Sequence, residues 1–413
     1  MAAWRRLRIS HGARLPRKQM TSTKKYLQVF EPEIAVTLSY LLFLTLAALS
    51  YIIPDTRIYL LKSFQTPPTA AAYGTTLLGL GFFIAAVRLG KKINFTYHKP
   101  VLLGIVIFAS AVIYLTLEIP LILAVIMALG FAALLYYLSS QKDFHRLTGI
   151  VFLLALLSAL SILLRGIPIL SASAREATAV STSRALFHGT GVFAGALLIG
   201  FYDRKKAALA ISAMAVVGLL SGFKSDAIAI ILSATIAGLL LGKISLRAMT
   251  LTAAAIVFIL TGVSTFIALI AHGVWNIPPF LYPIYRFGFT FSVYSKIVET
   301  SLPLGSLHGQ AILSTTQEIM STAVLGYTKP HIITSTLFGP LTLDFGLVGL
   351  IITAVFIGLY LGLLKRDTTL RTCLYAMALT HVLVIIEVGL QLTSIMFLFS
   401  MMYLSIREPP GQN

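Results

Sequence analysis

Residues 119–138 read IPLILAVIMALGFAALLYYL, an unbroken apolar run with no charged side chain. A helix rises about 1.5 Å per residue, so about 20 apolar residues cross the ~30 Å hydrocarbon core of a bilayer. A water-facing helix of that length would keep one polar face, and this run has none. It is therefore read as a transmembrane helix. Further apolar stretches surround it at 34–53, 71–89, 100–117, 147–164, 186–202, 207–221, 226–242, 248–271, 343–364, 372–388 and 390–405. Several fall short of a full crossing and must lean on neighbouring protein or on local thinning of the bilayer. Residues 372–405 are long for one crossing and short for two, and Gly389 marks the expected turn between them.

Composition points the same way. Of the 413 residues, 57% are hydrophobic and 11% charged, whereas a soluble domain carries about 25% charged residues. This excludes a water-covered globule. The expected fold is all-α, a polytopic integral membrane protein of about 12 transmembrane helices (11–13) with its N-terminus in the cytoplasm. Its organisation would be a basic tail at 1–33, one transmembrane domain at 34–405 and a short tail at 406–413. The basic stretch 1–33 lacks the short apolar core of a cleavable signal. The single cysteine, Cys373, cannot form an intrachain disulfide.

The formal net charge is +18, which in a soluble protein would raise nucleic acid as a partner. Placement argues otherwise. With alternating spans, 23 of the 32 Lys and Arg residues fall on the cytoplasmic side, among them Arg5, Arg14, Lys91, Lys92, Arg204, Lys205, Lys206 and Lys365. The positive-inside rule and contact with anionic lipid account for that excess without a nucleic-acid surface. The same topology places two long segments, 165–185 and 272–342, on the outer side. No short cytoplasmic loop carries a glycine-rich phosphate cradle, and no His–carboxylate spacing suits a metal, so neither a metal nor another cofactor is expected.

The outer segments hold the candidate chemistry. Arg175 and Arg184 lie within the first one, and a guanidinium fork can grip phosphate oxygens. The plain alternative is that both bind lipid headgroups. The stretch Ser221-Gly222-Phe223-Lys224-Ser225-Asp226 ends a short span in a glycine turn. There Lys224 and the first amides of the next helix would form an anion site, or Lys224 would snorkel outward and pair with Asp226. In the second segment, Pro278 and Pro279 stop a helix. Tyr282, Tyr285, Phe287, Phe289, Phe291 and Tyr294 follow, mixed with Arg286 and Lys296, as at a membrane boundary or a sugar-binding groove. Residues 310–325 read as a short amphipathic helix in the outer interface, with Ile312, Ile319 and Met320 on one face and Gln310, Glu318 and Ser321 on the other. Glu299 and His308 are the leading candidates for a general base, ahead of Glu118, Glu176, Glu318, Asp344, Glu387, His188, His272 and His331. Asp344 is explained as a carboxylate at a helix start, and Glu387 with Gln391 as a packing hydrogen bond.

Three motifs together carry a resemblance. Gly166-Ile167-Pro168-Ile169-Leu170 followed by Arg175, the Gly222-Phe223-Lys224-Ser225 turn, and Asp344-Phe345-Gly346-Leu347-Val348-Gly349 resemble, in this order, the O-antigen polymerase-like repeat-unit polymerases. The set is most similar to their archaeal branch. Lys224 stands where that family usually has arginine, so a bidentate grip becomes a point charge.

The resemblance implies a multi-pass protein of the cytoplasmic membrane with its active face outside. It implies glycosyl transfer between polyisoprenyl-pyrophosphate-linked glycans, in which Arg175, Arg184, Lys224 and Arg286 would steady the leaving pyrophosphate. Glu299 or His308 would then take the proton of the attacking hydroxyl. Membrane lipids and lipid-linked glycans are the expected partners, with a flippase or chain-length regulator beside them; the oligomeric state stays open. A lipid-linked oligosaccharide flippase, or a ligase serving a different acceptor, is the alternative reading.

Overall fold

Prolines and short polar side chains punctuate the chain into helices. A computed structural model describes residues 28–407 except 118, 141–142, 180, 273–276, 314–317 and 327–332. Expectations for the far tails, for Glu118 and His331, and for the side chains of His272 and Glu318 lie outside the described residues. The helices are α1 (Pro32–Ile52), α2 (Pro54–Phe64), α3 (Ala70–Lys92), α4 (His98–Leu117), α5 (Leu121–Ser140) and α6 (Phe144–Leu163). Next come α7 (Ala172–Ala179), α8 (Thr182–Phe201), α9 (Arg204–Leu220), α10 (Lys224–Leu240), α11 (Leu246–Phe258) and α12 (Ser264–His272). The last six are α13 (Tyr282–Ser301), α14 (Gln310–Leu313), α15 (Glu318–Leu325), α16 (Gly339–Leu363), α17 (Thr369–Val388) and α18 (Leu392–Arg407). No strand occurs among the described residues.

Pro32 and Pro54 open α1 and α2 at first-turn positions, where a missing N–H leaves no bond unmade. Asp143, Ser181, Asp203 and Thr368 cap α6, α8, α9 and α17 by accepting backbone N–H bonds, each contributing about 1 kcal/mol. Gly389, at φ 101, ends α17 where the sequence placed the turn. Each apolar stretch read from the sequence is mostly helical among the described residues. Nine candidate spans among the described residues are long and apolar enough to cross a membrane: α1, α3 to α6, α8, the α11–α12 pair, α16 and α17. Helices α9 and α10, at 17 residues each, and α18, at 16, are shorter.

Helix contacts set the architecture. Gly358 and Gly362 on α16 face Ala86 and Gly90 on α3, and a Cβ on Gly90 would lie 2.7 Å from the Leu359 carbonyl oxygen. Small residues let these two backbones approach closely, as helix pairs in membranes require. Cys373 on α17 is fully buried, its thiol 3.2 Å from the Ala196 carbonyl oxygen on α8 and packed over Gly200. At one end of the bundle Lys91 joins Glu31 and Glu33 at 2.7 Å, and Arg366 also binds Glu31. This is the basic end. A cavity of about 390 Å³ opens there among Glu31, Lys91, Arg366 and Tyr375.

Residues 272–342 depart from the expectation of an outer loop segment: α13 is packed into the bundle. Phe291 and Tyr294 are fully buried, Phe43 and Phe287 meet with ring centres 5.2 Å apart, and Gly288 lies against Ser50. The preceding helix, α12, ends at His272, before Pro278 and Pro279; Pro279 opens a single 3-10 turn, and Pro283 sits in the first turn of α13, where proline favours a start. Ser292 bonds Tyr51 at 2.7 Å and Ser295 bonds the Thr69 amide at 2.9 Å, at the end of α1 and just before α3. Helix rise places Arg286 about 9 Å from Ser292 along α13.

The chain dips a second time before α16. Phe338 stacks on Tyr40 at 5.3 Å, and a Cβ on Gly79 would lie 2.8 Å from its ring, so Phe338 sits well inside the bundle. Helix α16 breaks at Phe345 (φ −132) and Gly346 (φ 58). A Cβ on Gly349 would strike the Leu341 carbonyl, although a straight helix would hold residues 341 and 349 about 12 Å apart. The chain thus turns back on itself at the Asp-Phe-Gly motif. Asp344 is fully buried and accepts from the Ala311 amide at 2.8 Å and the Ile312 amide at 2.9 Å. It caps α14 rather than its own helix, which starts at Gly339. The amphipathic stretch 310–325 is helical in its described parts, but Ser321, assigned to the polar face, is as buried as Met320. Met320 packs with Leu60, Phe64, Phe289 and Leu343, forming a cap over this end of the bundle.

Candidate functional site

The end of the bundle opposite the basic one gathers basic side chains from four helices. Gly222, at φ 77, turns the chain between α9 and α10. A Cβ there would meet Cγ and Cδ of Arg175 at 3.3 Å, so the glycine serves both the turn and the arginine stem laid across it. The same Cβ would lie 3.5 Å from the Ile169 amide, which brings the Gly166–Leu170 motif onto the Gly222 motif. The guanidinium of Arg184 covers the Phe223 ring at 3.5 Å, and that of Arg175 approaches it at 5.6 Å.

Asp226, in the first turn of α10, is fully buried. His188 Nδ1 lies 2.9 Å from its Oδ1, and Arg184 Nε lies 3.4 Å from its Oδ2. The sequence offered Lys224 as a partner for Asp226. Instead Lys224 Nζ stands 4.8 Å from the centre of the Tyr282 ring, at the start of α13. One turn further along α13, Arg286 Nε donates to Glu387 Oε1 at 2.8 Å and Nη2 to Thr334 Oγ1 at 3.1 Å. Glu387 is thus an ion-pair partner of Arg286 and not merely a packing neighbour of Gln391. Lys224 is near enough to bear on the charge of Glu387, and Arg175 feels both Arg184 and Arg286.

The arrangement is electrostatically unfinished. Burial pushes the Arg175 guanidinium below its ordinary value, with Tyr282 opposing and Arg286 and Arg184 adding to the effect. An arginine nevertheless stays protonated. Its Nε is buried without a hydrogen-bond partner. Among the described residues no carboxylate lies within ion-pair distance of Arg175 or Lys224. A site with two uncommitted cations beside aromatic faces favours an anion that also presents apolar sugar or chain surface.

The two base candidates from the sequence lie elsewhere. Glu299 shares α13 with Arg286 but sits about 20 Å further along it. It is paired with Lys296 at 2.7 Å. His308, at φ 48, belongs to the turn that follows α13, and its amide donates to the Asp344 carbonyl at 3.1 Å. Both side chains are exposed beyond the bundle.

The sequence profile of the O-antigen polymerase family matches residues 28–399. The chain belongs to that family. Family membership implies a membrane repeat-unit polymerase acting on lipid-linked glycans. No curated protein and no solved structure matches the chain. Within this O-antigen polymerase framework, the two earlier motifs touch one another at Gly222, and the third forms the break in α16. What the sequence left unseen is the set that links the cations: Phe223 and Tyr282 as ring platforms, Asp226 with His188 behind them, and Glu387 beneath Arg286. The spacing of Arg184 and His188, one turn apart on α8, was the available signal.

Proposed function

We propose that this protein joins polyisoprenyl-pyrophosphate-linked oligosaccharide units by glycosyl transfer on the outer side of the cytoplasmic membrane. The hydroxyl of one glycan attacks C1 of the other; the new C–O bond forms as the bond from C1 to pyrophosphate breaks, and polyisoprenyl pyrophosphate leaves with the electron pair. Negative charge grows on the departing phosphates, and fixed cations oppose it most effectively when they are already in place. Protein cations, rather than a metal, fill that role. The observation that supports this reading is the convergence of Arg175, Arg184, Lys224 and Arg286 on one aromatic-lined region, with the buried Arg175 Nε lacking a partner.

The test is purified protein supplied with two defined lipid-linked glycans. Longer glycan on lipid supports the proposal. Relocation across the bilayer without a new bond would make the protein a flippase, and transfer to a different acceptor would make it a ligase. Arg175→Ala and Lys224→Ala should each abolish extension while protein abundance stays near normal; Arg286→Ala should abolish it too, with the lower abundance that stranding Glu387 brings. Extension at the parental rate in all three would end the cation proposal.

A further inference from the structure

We propose that His188, held by Asp226, accepts the proton of the attacking hydroxyl. This rests on the glycosyl-transfer reading above and assigns it a base that neither Glu299 nor His308 is placed to supply.

His188 follows Arg184 by one turn on α8, so the two side chains share the face turned toward α10. Asp226 faces both of them, His188 at hydrogen-bond distance from Oδ1 and Arg184 Nε at ion-pair distance from Oδ2, and has no exposed surface of its own. A carboxylate 2.9 Å from Nδ1 requires the imidazole proton on that nitrogen, which leaves the lone pair on Nε2. The imidazole itself retains 25% side-chain exposure, so the ring remains reachable while its orienting partner is sealed. A second imidazole, His381 on α17, has its ring centre 6.1 Å from that of His188. It is buried, and its Nε2 has no hydrogen-bond partner. Unsatisfied buried polar atoms are rare in folded proteins. A hydroxyl seated beside His188 would bring a partner into this region.

The proton moves from the hydroxyl to Nε2 as the oxygen pair forms the glycosidic bond, and the imidazolium then loses it to water. Two other carboxylates are already committed to cations. Glu387 is engaged by Arg286 at 2.8 Å, and Glu299 by Lys296 at 2.7 Å. The competing account makes Asp226 a clamp between α8 and α10 without chemistry.

His188→Asn separates the two. Asparagine places a side-chain N–H near the position of Nδ1 and so keeps the bond to Asp226, but it carries no basic atom. If His188 takes the proton, kcat for extension falls about 100-fold or more, with KM within about threefold of the parent and an unchanged melting temperature. If the contact is only a clamp, His188→Asn extends at the parental rate and the proposal is overturned. Asp226→Asn is the second variant; loss of the orienting carboxylate should lower kcat, and a parental kcat there would also overturn it. A parental protein that never extends glycan defeats the polymerase reading instead, a result visible before any variant is made.

Discussion

The guanidinium of Arg184 stands 3.5 Å from the centre of the Phe223 ring while its Nε faces Asp226 at 3.4 Å. One side chain is therefore fixed on an aromatic plane and by a buried charge. Replacing Phe223 by Leu removes the plane and keeps the volume roughly constant. A cation–π contact contributes about 0.5–2 kcal/mol, so extension should slow about two- to thirtyfold. Phe223→Tyr should stay near the parental rate. Initial rates on lipid-linked glycan decide it, and parity between Phe223→Leu and the parent would dismiss the platform.

Lys224 acts through charge in this reading. Lys224→Arg should retain more activity than Lys224→Ala in the same assay. Equal loss in both would mean that shape at the Tyr282 ring matters more than the cation.

Arg286 and Glu387 form a half-buried pair, with 26% and 23% side-chain exposure. Removing one member strands the other, at about 3–5 kcal/mol, whereas an apolar replacement of both is far less harmful. Glu387→Leu should thus lower the melting temperature more than the Arg286→Met, Glu387→Leu double variant, as read by thermal unfolding in detergent. Additive losses would show the two residues to be energetically independent.

At the basic end, burial works against ionisation of Glu31, but Arg366 and Lys91 outweigh it and hold the carboxyl below the ordinary 4.5. A depressed folded-state value means that the contribution is present above that ordinary value and disappears as pH falls through the folded one. Thermal unfolding of the parent and of Glu31→Gln should differ at neutral pH and converge in acid. A pH-independent gap would contradict the linkage.

Much of the fold was legible because apolar runs betray helices that face lipid. Helix α13 was not. It mixes Arg286, Lys296 and Glu299 with aromatics and serines, and a helix sealed by protein on several sides can afford that mixture. Its buried serines bond Tyr51 and Thr69 instead of meeting lipid. The four cations were legible from charge placed away from the basic end. Their partners were not, because pairing was sought among sequence neighbours: Asp226 was matched to Lys224 two positions away, yet residues two apart on a helix point in different directions. Asp344 misled for a related reason, since the amides it binds belong to α14.

Cys373, sealed between α8 and α17, is the chain's single cysteine. The parent should accordingly resist a membrane-impermeant maleimide, and any thiol introduced at an exposed position becomes the sole reactive one. Cysteines placed at Glu299 and at Lys206 could then be labelled from either side of sealed vesicles, giving an orientation map with no native thiol to remove first.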